Sequence, residues 1–173
     1  MRKLWVFLGA AVIGGAELAS GGETADIYQG SVEDRVQALS SIQPGLGTIM
    51  HEYGNRFTQM YFAANGGNWG LAQYELKEML EAQEIAEITR PKRAAMLKAF
   101  EENYLAPLGE SIEKQNTAQF NQRFKGGVTG CNACHTALGY QFIQYRLPIK
   151  SGYDMLNFSL KTKPAYEEKK EYK

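Results

Sequence analysis

The spacing of apolar residues is the feature that most constrains the fold of this chain. This spacing is helical from Val32 to the region of Pro148. In "IMHEYGNRFTQMYFAA" (49–64), apolar side chains recur at three- and four-residue steps, as on one face of a helix. No stretch shows the alternation or the β-branched richness of a sheet. We therefore expect an all-α fold. The predicted apolar face consists of Ile49, Met50, Tyr53, Phe57, Met60, Tyr61 and Ala64.

Breaks in this spacing predict four helices. "ANGGN" (64–68) ends the first helix, and the second runs over 69–88. Pro91 suits the first turn of a third helix, in which Pro107 should cause a kink or a brief interruption. Short loops between four helices predict an up-down-up-down four-helix bundle.

The fourth predicted helix is the least regular. It begins near Thr117, is disturbed by "KGGVTG" (125–130), and continues until Pro148 ends it. The tail "KTKPAYEEKKEYK" (161–173) is rich in charge and has little to bury, so we expect it to be mobile.

The N-terminus has the layout of a secretory signal peptide. Arg2 and Lys3 precede an apolar run of about ten residues, which is too short for a comfortable membrane span, and small residues follow. Cleavage could fall after Ala16 or near Ser20, and a buried N-terminal helix is the alternative. We expect an exported protein with no stable membrane span after signal removal. The predicted organisation is a signal peptide (1–20), a linker (21–31), a helical-bundle domain (32–147) and a partly mobile C-terminal extension (148–173).

Charge excludes one class of partner. The chain has 19 basic and 19 acidic residues, so its formal net charge is zero. Nothing in this balance points to nucleic acid. No Gly-rich phosphate loop, Ser/His/Asp set or carboxylate pair placed for acid–base chemistry is recognisable, and we expect no enzymatic activity.

The segment "CNACH" (131–135) contains the only two cysteines and one of the two histidines. A disulfide across so short a loop would add little stability, even in an oxidising compartment. Cys-x-x-Cys-His is the attachment signature of a c-type haem. Cys131 and Cys134 can each add to a vinyl group on one porphyrin edge, and His135 then binds the iron from the proximal side. A thioredoxin-like redox pair lacks its βαβ context, and a zinc site would have only His51 as a fourth ligand.

A haem motif on the last helix of an exported four-helix bundle resembles the class II cytochromes c, the group of cytochrome c′ and cytochrome c-556. The resemblance covers roughly residues 35–147, and "MHEYGNRFTQMYFAANGGNW" also looks like a motif of related bacterial haem proteins. It implies a periplasmic protein with one covalently bound haem c and His135 as the proximal ligand. It also implies a homodimer as one form of assembly. The extension beyond Pro148 departs from this family.

The sequence leaves three possibilities for the sixth coordination position of the iron. His135 lies about 12 residues before the predicted end of the fourth helix, or about 18 Å along its axis. In an antiparallel neighbour starting near Ser40, the same level falls at residues 48–55, which include Met50 and His51. Met50 is on the apolar face and is the first candidate, with Gly54 one turn on to admit the porphyrin. His51 is the alternative, and the position could also be vacant.

The expected function depends on whether the sixth position is filled. With a filled sixth position, we expect a mono-haem carrier of single electrons between redox partner proteins. With an open or weakly held position, we expect binding of small gases such as NO or CO. Arg56 or Lys125 could pair with the haem propionates. Five aromatic residues could surround the haem: Tyr53, Phe57, Trp69, Tyr140 and Phe142.

Overall fold

The computed structural model describes residues 26–152 and 155–164, and the predicted signal peptide lies outside them. The described residues contain no strand, only an isolated bridge between Asn68 and Thr162. The all-α prediction is confirmed, and the helices are compatible with a helical bundle. They are α1 (Val32–Ser41), α2 (Leu46–Gly66), α3 (Trp69–Thr89), α4 (Pro91–Phe100), α5 (Ala106–Glu113) and α6 (Thr117–Ala137), with a π-helical turn (Glu101–Leu105) between α4 and α5. In this part of the chain no helix is both long and apolar enough to cross a membrane.

The described residues divide into two compact units, with the boundary in the chain between Gln43 and Pro44. In the first unit, Ser31 and Asp34 start α1 with a reciprocal capping box: each side chain accepts a hydrogen bond from the other residue's backbone N–H. The second unit contains helices α2 to α6 and every candidate ligand named above.

The predicted break at 64–68 is confirmed. Helix α2 ends at Gly66, and Gly67 has φ of 83°, a left-handed conformation that glycine adopts without steric cost. Asn68 then caps α3, because its side-chain oxygen accepts a hydrogen bond from the N–H of Leu71. The two helices are thereby joined by a two-residue turn.

Both proline predictions of the third helix are confirmed. Pro91 is the first residue of α4. The π turn (Glu101–Leu105) comes directly before α5, in whose first turn Pro107 lies. Proline lacks the N–H that would bond the carbonyl of Asn103, and its ring crowds that carbonyl, so the regular α ladder is interrupted here.

The predicted disturbance at 125–130 is wrong, because α6 runs through this segment without a break. Its glycines permit close packing between helices. A Cβ on Gly127 would lie 3.0 Å from the ring of Phe57, and one on Gly130 would lie 2.6 Å from the ring of Tyr104. One turn away, Phe124 stacks on Phe57 with ring centroids 4.0 Å apart, in the centre of the core.

The predicted end of the last helix is also wrong, since α6 stops at Ala137 and not at Pro148. Gly139 has φ of 82° and donates its N–H to the carbonyl of Thr136, while Tyr140 donates to the carbonyl of His135 at 2.8 Å. This is a Schellman motif, in which a left-handed glycine satisfies the last carbonyls of a helix. The chain then turns back as non-helical structure.

The tail that we expect to be mobile begins at residue 161; residues 161–164 are described and contact the rest of the second unit, and residues 165–173 lie outside the described part. Thr162 Oγ1 donates to Asn68 Oδ1 at 2.6 Å and accepts from the N–H of Gly70 at 2.8 Å. The Lys161 ammonium donates to the carbonyl of Gly66 at 2.6 Å. The C-terminal segment therefore packs on the turn between α2 and α3.

Candidate functional site

A cavity of about 640 Å³ lies between α2, α4, the end of α6 and the chain that follows it. Its volume is within the range of sites that enclose small molecules and cofactors. Most of its wall is apolar. Its lining includes Met50, His51, Tyr53, Gly54, Phe57, Arg90, Arg93, Met96, Cys131, Cys134, His135, Ile143 and Tyr145.

The predicted attachment motif forms one wall of this cavity. Cys131, Cys134 and His135 occupy the last two turns of α6, where a spacing of three and four residues places them on one face. The two cysteines are free thiols. Burial, together with the neighbouring Cys134, raises the pKa of Cys131 to about 12. Burial also raises the pKa of Cys134, against a lowering effect of Arg93. Both thiols are thus protonated at neutral pH, unlike the thiolate of a reactive redox pair.

His135 is oriented by the chain that follows α6. Its Nδ1 lies 2.8 Å from the carbonyl oxygen of Ile143. Because a carbonyl can only accept, Nδ1 carries the proton and Nε2 keeps the lone pair that binds a metal. A histidine whose second nitrogen donates to a carbonyl is typical of metal-binding imidazoles.

Asn132, the first of the two residues between the cysteines, fixes this returning chain. Its Oδ1 accepts from the N–H of Tyr145 at 2.8 Å, and its Nδ2 donates to the carbonyl of Tyr145 at 2.9 Å. The hydroxyl groups of Thr58 and Tyr145 are 2.7 Å apart. Thr58 already donates to the carbonyl of Gly54, so Tyr145 is the donor to Thr58. The role of Asn132 was not predicted from the sequence. The only feature that could have indicated it is an amide side chain within the attachment motif.

The opposite wall belongs to α2. Met50 is half-buried and packs against the core, whereas His51 is exposed. Both line the cavity with His135, so the structure brings the three candidate ligands together. The length argument behind this expectation was wrong, since His135 lies two residues before the end of α6. Gly54 also lines the cavity, and a Cβ added there would have no atom within 4 Å.

The hydroxyl of Tyr53 is buried and fully paired. It donates to Oε1 of Gln83 at 2.9 Å, and the amide of Gln83 donates to Glu87 and Glu101 at 2.9 and 3.0 Å. Burial raises the pKa of Tyr53 well above its usual range, and nearby negative charge acts in the same direction. Tyr53 therefore presents a neutral ring to the cavity.

The third wall, on α4, was not anticipated. Arg90, Arg93 and Met96 recur at three-residue steps and all line the cavity. The Sδ of Met96 is 2.9 Å from the Sγ of Cys134. Arg90 donates to the carbonyl of Pro44 at 2.8 Å, which ties the start of α4 to the residues before α2. The sequence feature that could have predicted this wall is the group of basic residues that follows Ile88.

The residues expected to meet propionates lie elsewhere. Arg56 is paired with Glu52 at 2.6 Å and with the buried Glu75 at 3.1 Å. These carboxylates hold the pKa of Arg56 above its usual range against the effect of burial, and burial raises the pKa of Glu75. Lys125 is exposed, and neither basic residue lines the cavity.

Of the five aromatic residues expected around a haem, three line the cavity: Tyr53, Phe57 and Tyr140. Trp69 packs instead against Phe120 in the core, and Phe142 is 75% exposed. Phe57 and Tyr145 form an aromatic corner, with ring centroids 5.4 Å apart.

The described residues contain no group of three or more His, Cys, Asp or Glu side chains that could hold a metal ion by themselves. No family model matches this chain, and no curated protein or solved structure is significantly similar to it.

Proposed function

We propose that this chain is an exported mono-haem c-type cytochrome that carries single electrons between redox partner proteins. In this proposal the helices form an up-down-up-down four-helix bundle around one covalently bound haem. The observation that carries it is the orientation of His135: its Nδ1 is held by the carbonyl of Ile143, on the same cavity wall as both thiols.

The cavity residues fit a haem in three respects. Two thiols and an imidazole are the donor set that attachment and proximal ligation require. The wall is largely apolar, as a porphyrin face demands, and Gly54 leaves open space where any other residue would place a Cβ. Arg93 lines the same cavity, and its planar guanidinium can bind a propionate in a fork.

Haem iron would supply reversible one-electron chemistry. Cys131 and Cys134 would hold the porphyrin edge, and His135 would bind the iron through Nε2. The hydrogen bond to Ile143 raises the basicity of the imidazole and fixes its plane. The buried rings of Tyr53 and Phe57 would keep water from this part of the porphyrin face.

Met50 is the first candidate for the sixth ligand and His51 the alternative. Met50 is half-buried in the apolar wall, whereas His51 is exposed. Methionine ligation would raise the reduction potential relative to two histidines.

The test is the visible spectrum of the haem-matured protein, oxidised and reduced, with and without carbon monoxide. We expect a low-spin reduced spectrum that the gas does not change. Met50→Ala should convert it to a high-spin, gas-sensitive spectrum, whereas Met155→Ala, at an 89% exposed position, should leave it unchanged.

Other outcomes have definite meanings. A wild-type spectrum that is high-spin and shifts with carbon monoxide would indicate gas binding, the alternative function. Retained low-spin character in Met50→Ala, lost in His51→Ala, would assign the ligand to His51. Failure of Cys131 and Cys134 to bind haem in a competent host would refute the whole proposal.

A further inference from the structure

The neutral chain has a strongly uneven distribution of charge. No acidic residue occurs from Ile88 to Phe100, which includes α4, or from Lys114 to Gly152, which includes α6 and the returning chain. Helix α3 contributes no residue to the cavity wall. It carries five glutamates: Glu75, Glu78, Glu81, Glu84 and Glu87.

The charged side chains of the α4 wall are basic as a result. Arg90 and Arg93 line it, and no carboxylate is among the described residues that do. Lys92 and Arg146 are exposed, and each is adjacent in sequence to a residue of the cavity wall. Helix α4, helix α6 and the returning chain thus carry basic charge and no acidic charge, while Glu52 of α2, next to His51 in the wall, is paired with Arg56.

Apolar side chains are exposed between these charges. Tyr140 and Ile143 line the cavity while 47% and 48% exposed, and Phe142 between them is 75% exposed. Exposed aromatic residues and arginine are enriched at protein interfaces, and an apolar centre with a charged rim is their usual anatomy.

From this arrangement we infer that the mouth of the cavity is the docking face for a redox partner whose own surface is acidic. The inference rests on the proposed function and names the class of partner. A basic rim attracts and orients an acidic surface before contact, which accelerates association and makes it sensitive to salt. A membrane surface is a poorer fit, because the exposed apolar residues lie on non-helical chain and not along an amphipathic helix.

Two small oxidants of opposite charge probe this face on the reduced, haem-loaded protein. One electron passes to hexacyanoferrate(III), giving hexacyanoferrate(II), as haem iron goes from ferrous to ferric; no bond or proton is exchanged. With this trianion, the wild-type rate should fall as ionic strength rises. It should fall about tenfold in Lys92→Glu/Arg146→Glu at low salt. With tris(phenanthroline)cobalt(III), a trication, both trends should reverse.

The matched control is Lys114→Glu/Lys163→Glu, which reverses the same number of charges at two exposed positions. Lys114 lies before Thr117, the first residue of α6, which is 14 residues or about 21 Å from Cys131. Lys163 lies beside Gly70 at the α2–α3 turn, beyond the far end of α2 from Met50. This control should change neither rate by more than about twofold. Equal effects of the two double variants would overturn the inference, because they would reflect net charge alone.

Binding of poly-glutamate, followed by calorimetry at low salt, tests the face without electron transfer. We expect binding to the wild type and to Lys114→Glu/Lys163→Glu, and at least tenfold weaker binding to Lys92→Glu/Arg146→Glu. Binding to phosphatidylglycerol vesicles without binding to poly-glutamate would overturn the inference in favour of a membrane. If the protein carries no haem, its spectrum reports failure of the proposed function, while poly-glutamate binding still tests the basic face.

Discussion

Asn132 holds the backbone of Tyr145 through both polar atoms of its amide, at 2.8 and 2.9 Å. This pair closes the loop that begins at the left-handed Gly139 and brings the carbonyl of Ile143 to His135. A residue inside the attachment motif thereby determines how the motif's histidine is oriented.

Asn132→Ala should loosen the returning chain and release the imidazole of His135. Two backbone groups lose their partner, so we expect the free energy of unfolding to fall by about 1–3 kcal/mol. Chemical denaturation measures this loss. In the haem-loaded protein the reduction potential should also shift, because the basicity of the His135 ligand changes.

Asn103→Ala is the control for this prediction, since Asn103 is exposed and its side chain donates to the carbonyl of Ala99, about one turn earlier in α4. It should leave the potential unchanged. An unaltered potential in Asn132→Ala as well would contradict the orienting role of Asn132.

Gly130→Ala and Gly54→Ala should have opposite effects on the protein without haem. The new Cβ at 130 would lie 2.6 Å from the ring of Tyr104, so we expect a loss of about 1–3 kcal/mol. At 54 nothing lies within 4 Å, and alanine should stabilise the helix by about 0.5–1 kcal/mol. Thermal melts of both variants measure the difference. Equal melting temperatures would contradict the close contact of α6 with Tyr104.

Thr162→Val should release the C-terminal segment from the α2–α3 turn. The hydroxyl of Thr162 joins Asn68 Oδ1 to the N–H of Gly70, and valine leaves both groups without it. We expect faster tryptic cleavage after Lys161 and a loss of about 1–2 kcal/mol in the free energy of unfolding. Thr129→Val, which removes only an exposed bond to the carbonyl of Lys125, should behave like the wild type. Cleavage at the same rate in both variants would show that the segment is held by other contacts.

Because of Cys131, we expect the free energy of unfolding of the protein without haem to be lower at alkaline pH than at neutral pH. The pKa of its thiol is about 12 in the folded state, above the ordinary value of an unfolded chain. Between these values the unfolded state binds fewer protons, so the free energy of unfolding falls as pH rises, by up to about 1.4 kcal/mol per unit. The variant Cys131→Ala has no thiol at this position, so its stability lacks this dependence on pH. The difference in the free energy of unfolding between the wild type and Cys131→Ala should therefore shrink between about pH 8 and pH 10.

Urea denaturation across this pH range provides the measurement, and Cys134→Ala is the control. Burial raises the pKa of Cys134 as well, but Arg93 opposes the shift, so its deficit should change less with pH. A deficit of Cys131→Ala that is the same at every pH would contradict the raised pKa.

Local signals in the sequence determined much of this protein. The apolar stripe from Ile49 to Ala64, the break at Gly67 and the start of α4 at Pro91 are confirmed, because each depends on residues within a turn or two of one another. The grouping of Cys131, Cys134 and His135 on one helical face also follows from their spacing alone.

Only the tertiary structure decided the rest. In the sequence, Gly127 and Gly130 indicate a helix break. In the structure they lie against the rings of Phe57 and Tyr104, which are distant in sequence, so these glycines permit close packing of α6. The contribution of Arg93 to the cavity depends on how α4 packs, and the orientation of His135 depends on a loop that Asn132 holds. Helical spacing reports which face of a segment is apolar, but the close approach of two segments depends on both partners, and neither segment contains that information by itself.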